Sequence, residues 1–194
     1  MQGERILNMN LISIEDFSPF ISALKFGAHK HRYQKRKDAE QTPYFNHPIE
    51  VAELLWRVGN VRDISVLTAA LLHDVIEDTE TTHEDIETNF GARVLSLVLE
   101  VSDDKSLPKE TRKELQVKHA SGLSPGARLI KIADKICNVR DVTHSPPPEW
   151  SFRRRMEYLD WAERVVKAMN GCNENLEEEF YRMLREGRQR INAG

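Results

Sequence analysis

The stretch "LLHDVIEDT", residues 71–79, places four groups that can carry charge in an otherwise apolar segment. If the segment is helical, His73 and Glu77 share one face because they are four residues apart, and so do Asp74 and Asp78. A buried carboxylate is unfavourable unless it is protonated, ion-paired or bound to a cation. The pattern therefore indicates a metal site, although a His-Asp dipeptide at a helix surface can also arise by chance.

Two more residues have the chemistry and the surroundings of metal ligands. His47, in "PYFNHP", stands at the start of a predicted helix, where its imidazole can point toward a neighbouring helix. Asp134, in "KIADK", lies on a helical face made apolar by isoleucine and alanine. With His73 and Asp74 they supply two imidazoles and two carboxylates. Such donors, with positions left for water, suit a six-coordinate divalent ion such as Mn²⁺, or else Fe²⁺, Co²⁺ or Zn²⁺, and not a structural thiolate zinc site.

Helical periodicity predicts elements that could bring these ligands together. Apolar residues recur at helical spacing from Ser13 to about Tyr33, and Ser13 with Asp16 is typical of a capping box. The stretch "HPIEVAELLWRVG" predicts a second helix, with Pro48 in its first turn and Gly59 at its end. The stretch "DISVLTAALLHDVIED" is apolar almost all round, which predicts one central helix covered by its neighbours.

The remaining segments predict further helices joined by polar loops. The loop "QKRKDAEQTPYFN" carries three consecutive cations and a proline, and "ARVLSLVLEVS" fits a strand or a helix, with a spacing that favours the helix. Later helices are predicted up to about residue 120, over "ARLIKIADKICNVRDV", and over roughly 152–170 and 176–188. No alternating strand pair and no repeat is found. We therefore predict an all-α helical bundle.

Composition limits the kinds of partner that the chain can have. A formal net charge of −3, from 28 basic and 31 acidic side chains, gives no general attraction to nucleic acid or to an anionic membrane. Cys137 and Cys172 fit neither a disulfide framework nor a CxxC metal site. No stretch approaches the roughly eighteen apolar residues of a membrane span. We expect a cytoplasmic protein that binds a small molecule, with no nucleic-acid or membrane partner and an oligomeric state that the sequence leaves open.

The order His47, His73-Asp74, Asp134 resembles the HD phosphohydrolase superfamily, whose metal ligands follow the order H…HD…D. The segments "TPYFNHP", "LTAALLHDVIEDT", "FGARV" and "LIKIADKICNVRD" together resemble the hydrolase domain of the RelA/SpoT-type alarmone enzymes over roughly residues 20–190. The stretch "DDKSLPKETRK" and the short C-terminal end are most similar to the single-domain small alarmone hydrolases, the Mesh1-like group. The resemblance implies one HD domain over residues 13–190, after an N-terminal extension, 1–12, expected to be poorly ordered.

The resemblance also implies an activity and a metal. The activity is hydrolysis at the 3′ position of guanosine tetra- or pentaphosphate (ppGpp or pppGpp), the alarmones of the stringent response, giving GDP or GTP and pyrophosphate. The metal is one Mn²⁺ per chain, bound by the four ligands named above. Glu77 and Asp78, from the "HDxxED" element, become general-base candidates that orient or deprotonate the attacking water.

Positions that match substrate-binding residues of the family lie in the cationic loop and beyond Asp134. Arg36 and Lys37 are expected at the substrate, where Arg can stack on a base or bind phosphate through two hydrogen bonds. Asn138 and Tyr158 are expected to contact the nucleotide, and Trp150 matches less closely. For His31 a place near the substrate and a structural role are equally open, whereas His29, His83, His119 and His144 match no ligand and are expected at the surface.

Two other functions remain compatible with the sequence. A nucleotide phosphatase that removes a 2′ or 3′ phosphate, for example from NADPH, would use the same metal chemistry. A non-catalytic HD module that senses a nucleotide would belong to another class. Such modules usually lose a ligand or the Glu-Asp pair, and both are intact here, so hydrolysis is favoured.

Overall fold

The computed structural model describes residues 14–193, which form helices and connecting loops. Within that range β pairing is limited to one isolated bridge between Lys35 and Pro43. The helices are α1 (Ile14–Lys30), α2 (Asn46–Arg57), α3 (Ile64–Leu72), α4 (Val75–Asp78), α5 (His83–Phe90), α6 (Ala92–Val101), α7 (Lys109–His119), α8 (Pro125–His144), α9 (Phe152–Met169) and α10 (Glu174–Ala193). The predicted all-α architecture is confirmed, including the helix over "ARVLSLVLEVS".

Helix α3 is the centre of the bundle. Every residue from Val66 to Leu72 is buried, because α1, α2, α6 and α8 pack around it. This explains why the segment is apolar on all sides. Asp63 caps the helix by accepting a hydrogen bond from the Ser65 amide, so the start of the central helix is fixed by its own sequence.

The prediction of one continuous central helix over residues 63–78 is wrong. Helix α3 ends at Leu72 and α4 begins at Val75, so His73 and Asp74 lie at a break between them. The His73 ring nitrogen Nδ1 lies 2.8 Å from the carbonyl oxygen of Ala70, which is the acceptor that the Asp74 amide would use in an unbroken helix. The side chain therefore competes with the backbone for that acceptor.

Helix α8 is the second long element on which the site depends. It begins with a Ser124 cap and Pro125, and it packs against α2, α3, α6, α9 and α10. Helix α10 comes close enough to α8 that a Cβ on Gly187 would lie 2.5 Å from the Thr143 hydroxyl oxygen. The small residue therefore permits the two helices to pack closely.

Most predicted helix ends differ from the structure by a few residues. Helix α1 ends at Lys30 instead of about Tyr33, and α10 continues to Ala193 instead of stopping near Arg188. The predicted cap at Ser13 and the N-terminal extension, 1–12, lie outside the described residues, and the domain bounds 13–190 stay a prediction. Over residues 14–193, none of the helices combines the length and the apolar character that a membrane crossing requires.

Candidate metal centre and active site

Three of the four predicted metal ligands converge from three different helices. His47 lies in the first turn of α2, His73 follows α3, and Asp134 lies in the middle of α8. His47 Nε2 is 3.1 Å from Asp134 Oδ1, and His73 Nε2 is 3.9 Å from the same oxygen. One donor atom from each residue lies within 4.8 Å of the other two, so a single ion can contact all three.

Asp74, the fourth predicted ligand, lies beside this cluster. Its Oδ2 atom is 3.0 Å from His73 Nε2 and also accepts a hydrogen bond from the Tyr44 hydroxyl. The side chain is only 19% exposed, so its charge is held inside the protein. The break between α3 and α4 therefore places both members of the His-Asp pair at the cluster.

The donor set fits a divalent cation. His73 Nδ1 lies 2.8 Å from the Ala70 carbonyl oxygen, which turns Nε2 toward the cluster, as is usual for metal-bound histidines. Nε2 is buried and faces Asp74 Oδ2 at 3.0 Å and Asp134 Oδ1 at 3.9 Å. A metal ion at the cluster would replace the ring proton and bind the nitrogen and both carboxylates.

The charges around the cluster also favour a cation. Burial lowers the pKa of His73, but the carboxylates of Asp74 and Asp134 raise that pKa to about 9. Burial raises the pKa of Asp134, yet Lys135 and His47 hold that pKa well below its ordinary value. Burial also raises the pKa of Asp74, but His73 holds that pKa well below its ordinary value. Both carboxylates are therefore ionised near neutral pH, and the negative potential that they create attracts a positive ion.

Both oxygens of Asp134 are oriented by neighbours on α8. Asn138 Nδ2 donates to Oδ1 at 2.5 Å, and Lys135 Nζ donates to Oδ2 at 2.8 Å. Asn138 Oδ1 in turn lies 3.3 Å from Arg36 Nη2. The predicted substrate residue Asn138 therefore connects the metal centre with the cationic loop.

Glu77 and Asp78 face two different cavities. Glu77 lines a chamber of about 150 Å³ that the four predicted ligands also line, and its carboxylate accepts a hydrogen bond from the Asp103 amide at 3.1 Å. Burial, followed by the charge of Asp74, raises the pKa of Glu77 to about 7. Asp78 lines a larger cleft, where Gln34 Nε2 donates to it at 2.7 Å. The two predicted general-base candidates are thus placed differently.

The larger cleft, of about 540 Å³, lies beside the chamber, and Tyr44, His47 and Asn138 line both cavities. Its volume is in the range of small-molecule sites, whereas the chamber is too small for a nucleoside. The predicted substrate residues all line the cleft: Arg36, Lys37, Asn138, Tyr158 and Trp150. The structure therefore brings them together, while their roles stay predictions.

Arg36 is held in place within the cleft. Its guanidinium pairs with Asp141 and lies 5.7 Å from the centre of the Tyr44 ring. Lys37 also lines the cleft and is exposed. Burial raises the pKa of the Tyr158 hydroxyl to about 12. The cleft thus offers a cation fixed by an ion pair, an exposed cation and a neutral phenol among the predicted substrate residues.

The five histidines that are not proposed as metal ligands comprise one buried residue and four exposed ones. His31 is buried and its Nδ1 lies 2.6 Å from Gln34 Oε1, so it supports the side chain that holds Asp78. The prediction that the remaining four are exposed is confirmed: His29, His83, His119 and His144.

Sequence reasoning missed several residues of the site. Tyr44 precedes His47 by three residues, Lys135 directly follows Asp134, and Asp141 follows Asn138 by about one helical turn. Local spacing could therefore have indicated all three. Arg112 Nη1, 3.4 Å from Glu77 Oε1, comes from a helix with no sequence signal for the site. Such a contact depends on the tertiary fold.

A family model described as HD domain matches residues 23–159 of the chain, which include all four predicted metal ligands. The chain belongs to the HD-domain family. The family and the cluster of His47, His73 and Asp134 together define a divalent metal site. The resemblance on which the sequence prediction rested is therefore confirmed.

Particular relatives are more informative. The chain is 52% identical to guanosine-3′,5′-bis(diphosphate) 3′-pyrophosphohydrolase MESH1 of Mus musculus over 166 residues, which is 86% of this chain and 93% of that protein. It is 47% identical to the Drosophila melanogaster protein of the same name, over 87% of this chain and 93% of that protein. A solved structure described as a metazoan ortholog of SpoT that hydrolyzes ppGpp superposes with a TM-score of 0.85 at 46% identity, covering 87% of this chain and 95% of that one.

Proposed function

We propose that the protein is a guanosine-3′,5′-bis(diphosphate) 3′-pyrophosphohydrolase, which converts ppGpp to GDP and pppGpp to GTP with release of pyrophosphate. The observation that carries the proposal is the cluster of His47, His73 and Asp134 in a small chamber that lies beside a nucleotide-sized cleft. The names of the relatives, which match nearly their whole length, support this substrate. A role in alarmone turnover, as in the stringent response, follows from the reaction.

His47, His73, Asp74 and Asp134 are proposed to hold one Mn²⁺. The two nitrogen and two oxygen donors, with the buried Nε2 of His73 turned toward both carboxylates, support a hexacoordinate divalent ion. When bound, the ion supplies Lewis acidity at the phosphoryl group and makes a water molecule easier to deprotonate. The protein side chains determine where the substrate and the water lie.

Glu77 is proposed to accept the proton of the attacking water. It lies in the chamber with the metal ligands, and a pKa near 7 suits a general base at neutral pH. Arg112 and the Asp103 amide hold its carboxylate in place. Asp78, on the cleft side, is proposed to orient the substrate through Gln34 and Lys105.

The nucleoside is proposed to bind in the cleft, with its 3′-diphosphate pointing into the chamber. Arg36 and Lys37 are the cations for its phosphates or base, and Asn138 lies between Arg36 and the metal ligand Asp134. Tyr158 and Trp150, whose ring centres are 5.6 Å apart, offer an aromatic wall for the base or ribose. A cytoplasmic location is part of the proposal and agrees with the two free cysteines.

The test is to strip the purified protein of metal and to incubate it with ppGpp, with and without Mn²⁺, identifying the products by ion-exchange chromatography. GDP and pyrophosphate formed only with Mn²⁺ is the expected result. Asp74→Ala should be inactive under the same conditions. No turnover of ppGpp by protein shown to contain the metal would contradict the proposal, and release of orthophosphate from NADPH would then identify the phosphatase alternative.

A further inference from the structure

Lys131 is a buried lysine of α8 that lines the metal chamber without a carboxylate partner. It is 7% exposed, and its Nζ donates one hydrogen bond, of 2.8 Å, to the carbonyl oxygen of Val101. Within residues 14–193 it forms no ion pair with an acidic side chain, although an ammonium group has three donors. Two of its donors are therefore available to another group.

A buried ammonium without a counter-ion is energetically unfavourable. Burial and the neighbouring cation Lys135 both lower the pKa of Lys131, as expected for a buried ammonium group without a counter-ion. The other buried lysine of the chamber, Lys135, has a counter-ion, because its Nζ lies 2.8 Å from Asp134 Oδ2. An anion that enters the chamber would provide the partner that Lys131 lacks.

The acidic side chains that share this wall are already bonded to other groups. Asp103 accepts a hydrogen bond of 2.7 Å from Gln116 and lies 3.8 Å from Arg112. Glu77 lies 3.4 Å from the same guanidinium and accepts the Asp103 amide. Lys131 is therefore the cation of the chamber wall that remains free to bind a ligand.

The two cavities determine which part of a substrate can reach Lys131. The cleft of about 540 Å³ can hold a nucleoside, whereas the chamber of about 150 Å³ can hold only a small group such as a diphosphate. Under the proposed function, the scissile 3′-diphosphate enters the chamber that the metal ligands line. The same chamber is lined by Lys131, Lys135 and Gln116.

We propose that Lys131 is an additional catalytic residue, which binds the outer phosphate of the 3′-diphosphate and holds the pyrophosphate as it leaves. The proposal rests on the proposed function. In the reaction, the oxygen of one water bonds to the inner phosphorus while the bond from that phosphorus to O3′ breaks. One water proton passes to Glu77, an equivalent proton reaches O3′ to form the hydroxyl, and the second water proton leaves with pyrophosphate. Lys131 offsets the charge of that anion.

The probe for this role is inorganic pyrophosphate itself. Its binding to Mn²⁺-loaded protein is measured by calorimetry for the wild type, for Lys131→Met and for Lys118→Met, a control that makes the same change at an exposed position of α7. Lys131→Met should weaken pyrophosphate binding by roughly 10- to 100-fold, as expected for loss of a charged hydrogen bond. Mn²⁺ affinity should not fall, because Lys131 makes no hydrogen bond or ion pair with a proposed ligand and the change removes a positive charge near Asp134 and Asp74. Lys118→Met should change neither value.

A second variant covers the case in which Lys131→Met does not fold. Lys131→Gln keeps a donor for Val101 but removes the charge, so it should retain Mn²⁺ binding and the helical circular dichroism while losing pyrophosphate affinity. Unchanged pyrophosphate affinity in a folded variant would overturn the inference. Lys131 would then have only a structural role, as the donor of the hydrogen bond from α8 to the Val101 carbonyl. If wild-type protein binds pyrophosphate through Lys131 but does not hydrolyse ppGpp, the anion site stands and the proposed function fails.

Discussion

At the scale of single residues, three of the four proposed metal ligands are oriented by a neighbour that can be named. The Ala70 carbonyl fixes the orientation of the His73 ring, and Tyr44 holds Asp74. Asn138 and Lys135 orient the oxygens of Asp134. Ligands held in this way lose little freedom when an ion binds, so substitutions should separate residues that bind the metal from residues that act on the water.

Substitution of a ligand should therefore have a different result from substitution of Glu77. Asp134→Asn and Asp74→Ala should lose Mn²⁺ from the dialysed protein and show no turnover, because a charged donor of the cluster is gone. Glu77→Gln should retain the metal and lower kcat by roughly 10²- to 10⁴-fold, the usual contribution of a general base. Metal content by atomic emission, measured beside kcat, distinguishes the two classes. A metal-free Glu77→Gln protein would show that Glu77 is a ligand instead of a base.

The pH dependence of the reaction should report the ionisation of Glu77. Burial and Asp74 raise its pKa to about 7, while Arg112 and Lys105 on the opposite side are positive. A base acts only when deprotonated, so kcat/KM should rise with pH through this pKa, and a bound cation can only move the midpoint lower. We expect a rising limb with its midpoint at or below about 7. The residual activity of Glu77→Gln should not show this rise of kcat/KM with pH. If the rise persists in the variant, it reports the ionisation of a group other than Glu77.

At the scale of helices, periodicity was sufficient to predict most elements but not the feature that forms the site. The stretch 63–78 predicts a central helix, and α3 is indeed buried on all sides. Its break at His73 depends on a side-chain bond to Ala70, which apolar spacing cannot reveal. The contact of Arg112 with Glu77 could not be predicted from periodicity either, because α7 has no buried residue and therefore shows no apolar face that would place it against the chamber. Sequence could therefore identify the ligands but not their supports.

Packing between α8 and α10 provides a test of the scaffold that is separate from the chemistry. Gly187→Ala would put a methyl group 2.5 Å from the Thr143 hydroxyl and 3.3 Å from a Leu159 methyl, so the helices must move apart. We expect a loss of about 1–3 kcal/mol in the free energy of unfolding, typical of an overpacked contact. Gly122→Ala is the matched control, since a Cβ there meets no atom within 4 Å. Urea denaturation of both variants measures the difference, and equal stabilities would show that the α8–α10 contact is loose.

At the scale of the whole molecule, the metal centre joins parts of the chain that are far apart in sequence. Residues 47, 73–74 and 134 come from α2, the α3–α4 break and α8, and the protein around them is a bundle of helices that surround α3. Such a site exists only in the folded chain, so an ion bound there should favour folding over unfolding. Metal binding and global stability are therefore linked.

Mn²⁺ should raise the melting temperature of the wild type, because an ion that binds only the folded state at 100 times its Kd adds about 2.7 kcal/mol to stability. Glu77→Gln should show the same increase, since it retains all four proposed ligands, whereas Asp134→Asn should show almost none. Each variant is compared with itself in the presence of a chelator, so a change in baseline stability does not affect the result. An increase of wild-type size in Asp134→Asn would mean that the stabilising ion binds elsewhere, because this substitution removes the oxygen charge that His47 and His73 face at 3.1 and 3.9 Å.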